Sequence, residues 1–586
     1  MSSWTDVLFA LVCGTLGELA VRTISRARRV AALIRGAFLA FFAICALYSV
    51  AAIGLFHYFN RPITFELLGL IGNAAVVRSS IIDRISVPVA IGMVLVPIAF
   101  LVVVRWGGWK PRGTAIAVGA ALLWIGAGSA LHRARWDEHY VTHIWLNPHT
   151  ELLRTAVVRL AGGHRPKFPK NFPPEDVNEF RSIGARGNAA EQNFFQPSAG
   201  EAPPKNVILV ILESVGTKYL RLYGSPLDVM PKLEAEARNA LVFDNIYAHA
   251  SFTYCSFRTL NFSLYPGLPW HYAALGDARP FPETLATKLR SRGFRTAYLS
   301  NGNLDWEDER WLLEASDGFE TIDDYGEVGC RPLSSWGTED RCLFERLIRW
   351  IDEKPGQPFF AICWTDQTHD PYQLGPGVTP IDFFAGQPRP PFAKDLSAYL
   401  NVVHETDRHL GAVFEALRAR GLADDTLVIV TGDHGEAFAD PHSQRGHSWS
   451  VFEEEVRVPL LFWNPRLFAG QARGTIIGGH VDVNPTIADI LGIEPDGAWQ
   501  GQSLFDPAKP NRAYFLAIAG GDVFGVREGN LKYIYDVTSG TESLFNLESD
   551  PLELSAIDEP ATVQRLRQRV AAWVTFEDAF LWEHEN

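Results

Sequence analysis

The chain has 586 residues, 53 of them Lys or Arg and 67 Asp or Glu, for a formal net charge of −14. A hydrophobic share of 47% excludes a largely disordered chain, and the acidic balance excludes a general nucleic-acid binder, which would carry a basic face. The mean hydropathy of +0.00 averages two unlike parts. Residues 1–131 hold 11 basic and 4 acidic side chains, whereas residues 132–586 hold 42 and 63.

Four apolar stretches lie in the first part, at about 7–21, 36–56, 85–104 and 113–130. Crossing about 30 Å of hydrocarbon takes roughly 20 residues. The middle two stretches meet that length, the fourth falls a little short, and the first is shorter still and contains Glu18. Basic residues in short loops face the cytoplasm. Arg22, Arg26, Arg28, Arg29 and Arg35 separate the first two stretches, and Arg105, Lys110 and Arg112 the last two. The pattern predicts a four-helix transmembrane region over 1–131 in a multi-pass plasma (inner) membrane protein. Everything after Ala130 then lies outside the cytoplasm, in a periplasmic or extracellular space. Residues 62–79 suit an amphipathic helix in the outer interface. No Lys or Arg precedes Arg22, so nothing reads as a cleaved signal peptide.

Residues 132–205 read as a juxtamembrane helix around Leu152–Leu160 and then a polar, Pro-rich tether over 163–205 with few apolar anchors. From Asn206, short apolar runs alternate with longer amphipathic ones, which predicts an α/β domain over 206–500. The runs are Val207–Leu212, Thr296–Leu299, Phe359–Trp364, Thr426–Val430 and Val458–Trp463, and the best helix is Ala398–Arg420. Residues 501–586 read as a small α+β subdomain, with strands near Ala513–Ala517 and Tyr533–Tyr535 and a helix from about Thr562 to Val574.

Ligands of open α/β sheets bind beyond the carboxyl ends of the strands. The residues just past these runs are Glu213, Asn301, His369, the Asp433-His434 pair and Asn464. Asp433 and His434 stand in Thr-Gly-Asp-His-Gly-Glu directly after an apolar run, with glycines for close backbone approach. An adjacent carboxylate and imidazole suit a cation with mixed O and N ligands, and Glu213 supplies another oxygen. The segment 243–266 is dense in hydroxyls, including Ser251, Thr253, Ser256 and Thr259, and contains Cys255. A helix starting near Thr253 would point N–H groups at an anion, but composition leaves the choice of nucleophile open. Cys13 and Cys45 lie in the predicted spans and Cys363 in a core strand. Cys330 and Cys342 would face an oxidising compartment, and their spacing permits a loop-closing disulfide.

These motifs resemble the sulfatase-like branch of the alkaline phosphatase superfamily. Within it, they are most similar to the membrane-anchored lipoteichoic acid synthase and phosphoglycerol transferase proteins. The similarity runs over about 206–555: Asn206-Val-Ile-Leu-Val-Ile-Leu-Glu-Ser, Met230-Pro-Lys-Leu, Phe243-Asp-Asn, Asp407-Arg-His-Leu-Gly, Thr426-Leu-Val-Ile-Val-Thr-Gly-Asp-His-Gly-Glu, Gly446-His447, Val483-Asn-Pro-Thr and Ser543-Leu-Phe-Asn. The resemblance implies Glu213, Thr253, Asp433 and His434 as a one-metal set, with Thr253 the nucleophile. The metal is a divalent ion, manganese ahead of zinc, calcium or magnesium. Cys255 is the rival, but formylglycine sulfatases carry Cys-x-Pro/Ala-x-Arg, whereas this chain reads Cys255-Ser-Phe-Arg258. His369 and His447 match family histidines around the transferred group, and Asn301, Asn303, Trp306 and Arg258 are the implied substrate-binding residues. One departure is plain: the glycerol-phosphate transferases have His-Gly-Asp followed by Trp and Arg, whereas this chain has Asn301-Gly-Asn303, Trp306 and Asp308.

The implied activity is transfer of a phospho-headgroup from a membrane lipid or lipid-linked donor to a glycan or lipid acceptor, with no nucleic-acid partner. The alternatives are a sulfatase or phosphodiesterase using the same residues, and, more remotely, an inactive sensor or assembly factor.

Overall fold

A computed structural model describes residues 4–23, 28–59, 62–65, 87–106, 111–135, 146–160, 168–186, 195, 202–268, 282–334, 336–468, 470–518, 522–537 and 539–585. The chain divides into two compact units, residues 1–164 with 442–445, and residues 165–441 with 446–586.

In the first unit, helices Trp4–Thr23, Arg28–Phe59, Val87–Trp106 and Pro111–Arg135 cover the four apolar stretches, and a fifth follows at Pro148–Leu160. Large apolar side chains point outward, among them Leu33, Val87 and Leu123. Among the described residues one helix segment, Ala32–Ile53, is long and apolar enough to cross a membrane. The other three carry shorter apolar runs, Trp4–Leu16, Val87–Val102 and Val118–Ala130, so the expectation of four spans narrows to one clear candidate. Polar contacts gather at one end. Asn147 Nδ2 donates to Asp6 Oδ1 at 2.6 Å, and the His149 ring stacks 4.8 Å from Phe9 and meets Tyr48 edge-on at 5.0 Å. Apart from 62–65, the interfacial helix expected over 62–79 lies outside the described residues.

The second unit is built on an eight-stranded sheet. Its strands are β1 (Asn206–Leu212), β2 (Ala240–Tyr247), β3 (Arg295–Ser300), β4 (Thr321–Asp323), β5 (Phe359–Trp364), β6 (Thr426–Gly432), β9 (Arg457–Trp463) and β10 (Ala472–Gly479). A two-residue pair, β7 (Ala437–Phe438) and β8 (Arg445–Gly446), stands apart from it. The order is β10-β2-β9-β6-β1-β5-β3-β4. Strand β9 runs antiparallel to both neighbours, and the other pairings are parallel.

Every residue of β1 is buried, as a strand covered on both faces requires. Val207, Leu209 and Ile211 enter one core and Ile208, Val210 and Leu212 the other. On the second face lie helices Asp340–Glu353 and Ala393–Ala419, which bury Leu343, Leu347, Trp350, Leu400, Val403 and Phe414. On the first face lie Thr253–Phe262, Val483–Ile490 and the C-terminal helix Pro560–Glu585.

The reversed β9 corrects one reading of the strand ends. Asn464 follows β9, so it sits at the amino edge of the sheet, where its Nδ2 donates to Thr426 O at 2.9 Å. The residues preceding β9, including His447, reach the carboxyl edge instead.

The tether is also corrected in part. Residues 168–186 pack into the second unit: Phe180 is fully buried, Phe168 and Phe172 join the same core, and Ile183 N donates to Trp499 O at 2.8 Å. Asp176 lies 2.7 Å from Arg569. The prolines and charges of this stretch hide three aromatic anchors. The C-terminal part holds an antiparallel sheet of β11 (Arg512–Ala517), β12 (Val523–Glu528), β13 (Leu531–Asp536) and β14 (Thr541–Asn546). It braces the approach to the helix at 253, since Leu516 N donates to His249 O at 2.9 Å.

Candidate active site

Strands β1 and β6 are neighbours in register, with Leu212 beside Gly432, so the residues after them emerge side by side. Glu213, Asp433 and His434 are each at most 2% exposed, and one ligand atom from each lies within 4.8 Å of the others. Close backbone approach makes this work. A Cβ on Gly432 would fall 2.0 Å from Val215 O, and one on Gly435 2.1 Å from Glu454 O. Ser214 takes a positive φ of 57°, rare for a residue with a side chain, and its N–H donates to Asp433 Oδ1 at 2.7 Å.

The donor set fits a divalent cation. Asp433 Oδ1 accepts from Ser214 and His434 N–H groups, but Asp433 Oδ2 is buried without a hydrogen-bond partner. His434 Nδ1 lies 3.0 Å from Gly435 O, so it carries the proton and Nε2 presents a lone pair. That Nε2 is 3.4 Å from Asp433 Oδ2 and 3.8 Å from Glu213 Oε1. Burial, then the nearby His447, pushes the His434 imidazole down to about 4, so it is neutral and able to ligate. Burial and the charge of Glu213 push Asp433 well above the carboxylate range. Two acids forced together without a cation of the chain beside them resist sharing negative charge. A divalent ion bound by both removes that conflict.

The helix over 253–262 starts at Thr253, as the hydroxyl-rich segment suggested. Thr253 Oγ1 lies 3.1 Å from His434 Nε2 and 3.3 Å from Glu213 Oε1. The other candidates are spent elsewhere. Ser251 Oγ donates to Ser450 O at 3.0 Å, Ser256 Oγ to Asp433 O at 2.6 Å, and Thr259 Oγ1 to Cys255 O at 2.9 Å. Cys255 is 2% exposed within the hydrophobic core.

His447 Nδ1 pairs with Glu436 Oε2 at 2.7 Å, and its ring is 4.3 Å from that of His434. Burial pushes this imidazole down, but the Glu436 carboxylate outweighs it and holds the pKa above the ordinary value. Glu436 also accepts from Tyr372 OH at 2.6 Å. His369 stands 5.8 Å from His447, ring to ring.

The four residues implied as substrate contacts divide. Trp306 and Asn303 are partly exposed, and Asn303 Oδ1 accepts from Asp305 N at 3.0 Å. Asn301 is fully buried and its Nδ2 is occupied by Thr338 O at 2.7 Å and Asp340 Oδ1 at 2.9 Å, so it ties the β3 end to the next helix. Arg258 is buried, with one guanidinium nitrogen unpartnered, and sits roughly 140° around the helix from Thr253. Cys330 and Cys342 form a disulfide. Sequence reasoning assigned no role to Glu436, Tyr372 or Trp364, whose Nε1 donates to Glu213 Oε2 at 3.3 Å. Glu436 was the accessible one, since it ends the Thr-Gly-Asp-His-Gly-Glu motif.

Residues 205–493 match the family model described as Sulfatase. The chain is 26% identical over 346 residues to a lipoteichoic acid synthase-like protein, YvgJ, of Bacillus subtilis, covering 56% of this chain and 54% of that one. It is 32% identical over 174 residues to a choline-sulfatase of Rhizobium meliloti, covering 28% and 33%. The chain thus spans about half or less of these curated relatives. The fold is shared with the lipoteichoic acid synthase LtaP of Listeria monocytogenes, with a TM-score of 0.53, 18% identity and coverage of 69% of this chain and 97% of that one. The family match and the buried acid–acid–imidazole cluster fall in the same span: residues 205–493 form a sulfatase-like domain, and the proteins it matches are enzymes of the transferase or hydrolase kind.

Proposed function

We propose that the chain is a membrane-anchored, metal-dependent transferase. It moves a phospho-headgroup from a lipid donor to a glycan or lipid acceptor through a covalent intermediate on Thr253. The carrying observation is the hydroxyl of Thr253, within 3.3 Å of both Glu213 and His434 at the start of a helix, with the rival Cys255 packed in the core. Glu213, Asp433, His434 and Thr253 would hold the ion. Two carboxylates with an imidazole suit manganese, with zinc next. When bound, the ion supplies positive charge that favours the ionised hydroxyl and neutralises the transferred group.

The chain's own residues do the rest. Thr253 Oγ1, its proton released to solvent on ionisation, forms the new bond to phosphorus as the ester bond to the leaving oxygen breaks. The first N–H groups of the helix at 253 face the same anion. His447, whose protonated form Glu436 favours, is placed to hand its proton to the leaving oxygen and to regain one from the acceptor hydroxyl. His369 flanks it and stabilises charge on the transferred group.

The four-span topology is part of the proposal, with the catalytic unit outside the cytoplasm. The Asp6–Asn147 and His149–Phe9 contacts support it, because they join the start of the first helix to the stretch after the fourth. Only an even number of crossings brings those points to one side. Hydrolysis, with water as acceptor, is the second reading, supported by the sulfatase match. Mass spectrometry of protein mixed with lipid donor separates the outcomes. A phospho-adduct on Thr253 that is discharged faster by sugar or lipid acceptor than by water is expected. Formylglycine at 255, or activity surviving in Thr253→Ala, would overturn the assignment.

A further inference from the structure

The aromatic contacts around the ligand cluster continue past the histidines. The His369 ring lies 4.5 Å from Trp336, and Trp336 lies 5.3 Å from Trp306 with the planes 77° apart. His369, Trp336 and Trp306 are all partly exposed. Nothing in the transfer chemistry requires Trp336, yet the fold holds it from several sides. Its loop is closed by the Cys330–Cys342 disulfide. Gly337 forms a bridge with Gly302, and Thr338 N donates to Asn301 O at 2.9 Å. A Cβ on Gly337 would fall 2.2 Å from Asn301 O and 2.5 Å from an Asp366 carboxylate oxygen, so glycine is required beside the tryptophan. Buried Asn301 returns a bond to Thr338 O at 2.7 Å.

A partly exposed indole on a loop fixed at both ends offers an apolar face at little entropic cost on binding. The chemistry around it selects the ligand. The inner end of the wall is two imidazoles, His369 and His447, the latter paired with Glu436, beside the acid–acid–imidazole cluster. The outer end is polar: Asn303 is partly exposed, its Oδ1 accepting from Asp305 N at 3.0 Å, and the Asp305 side chain is 72% exposed. A sugar ring, with C–H groups on its flat faces and hydroxyls at its edge, matches both features.

The geometry points to Trp336 as a specificity-determining residue. The disulfide-closed loop holds its indole, with Trp306, as a wall for the pyranose ring of a glycan substrate next to the reacting ester. This inference rests on the proposed reaction for where the ester sits, but its test does not need turnover.

The full-length, detergent-solubilised protein loaded with Mn²⁺ is used. Saturation-transfer NMR with methyl β-D-glucopyranoside is expected to show transfer to the ring protons in the wild type and in Thr253→Ala. The signal is lost in Trp336→Ala, kept in Trp336→Tyr and weakened in the Cys330→Ser/Cys342→Ser pair. Glycerol and choline, run as separate probes, show none. In turnover, the preference for glucose 6-phosphate over glycerol 1-phosphate, as a ratio of kcat/KM, falls about tenfold in Trp336→Ala. Transfer to choline instead of the glucoside, no transfer to the glucoside, or an undiminished signal in Trp336→Ala would overturn the inference. So would an equal loss on both phosphates, which would mean that Trp336 acts only by propping His369. Failure of the Thr253 reading shows separately, as turnover that survives in Thr253→Ala.

Discussion

Behind the C-terminal sheet, Lys532 is fully buried and its ammonium lies 2.9 Å from Glu453 Oε1 and 2.9 Å from Glu553 Oε1. At the carboxyl edge of the main sheet, Glu213 and Asp433 are as deeply buried, and among the described residues no lysine or arginine pairs with either. Burial pushes Glu453 up, but Lys532, Arg457 and Arg527 outweigh it and hold that carboxyl below its ordinary value. The Asp433 carboxyl is driven the other way. Each cluster holds one acid down and pushes one up: burial drives Glu553 to about 7 beside Lys532, and the histidines around Glu213 hold its carboxyl low against burial while Asp433 rises. What differs is that the first has a lysine of the chain between its two acids. The other leaves acid against acid and is complete only with a cation from outside. Burying charge is costly in both places, so the unpaired cluster is the one whose retention needs a functional reason.

The largest effect should come from neutralising the unpaired cluster. Asp433→Asn is expected to cut turnover at least about a thousandfold while the metal-free thermal midpoint stays level or rises, because a like-charge contact is removed. Adding Mn²⁺ at about 100 times its Kd should stabilise the wild type by about 2.7 kcal/mol and leave the variant unmoved. Calorimetry with and without chelator reads both. A metal-free variant much less stable than the wild type would erase the contrast.

Breaking the paired cluster should do the opposite. Lys532→Met leaves buried Glu553 without its cation and Glu453 with only Arg457 and Arg527, and is expected to cost ~3–5 kcal/mol in denaturant unfolding. The fraction that folds should keep its kcat.

Glu577 is a third kind of buried acid, neutral and without a cation. It is 1% exposed, its Oε1 accepts from Gln500 Nε2 at 2.8 Å, and burial pushes its carboxyl up to about 8. The folded protein keeps a proton that the unfolded chain releases above about 4.5. This contribution to stability is therefore full below 4.5 and is lost as pH rises to about 8, by on the order of 5 kcal/mol. Glu577→Gln should flatten that slope in thermal melts across the window, and an unchanged slope would remove Glu577 from the account.

The smallest effect concerns the boundary of the open cluster. Glu436→Gln removes the charge that holds the His447 pKa up, so the alkaline limb of kcat/KM against pH should move to lower pH. A limb that stays in place would take His447 out of the proton-transfer role.

Much of this site was legible in the amino-acid sequence. Buried strands must be continuous apolar runs, so β1, β3, β5, β6 and β9 announced themselves, and with them Glu213, His369, Asp433 and His434 at their ends. Strands β2 and β10 did not, since Ala240–Tyr247 carries Asp244 and Asn245 and Ala472–Gly479 is half exposed. Strand direction is not written in an apolar run. Asn464 was therefore assigned to the wrong edge, and His447 entered only through family resemblance. Among the hydroxyls of 251–259, composition could not choose. The tertiary structure sets Thr253 alone among them against Glu213 and His434, because where a side chain points depends on where its helix docks. The same holds for Trp336, silent between two cysteines until Gly337 meets Gly302. Local patterning decides which segments form strands and which polar residues end them; contacts between segments far apart in the chain are decided only when those segments pack.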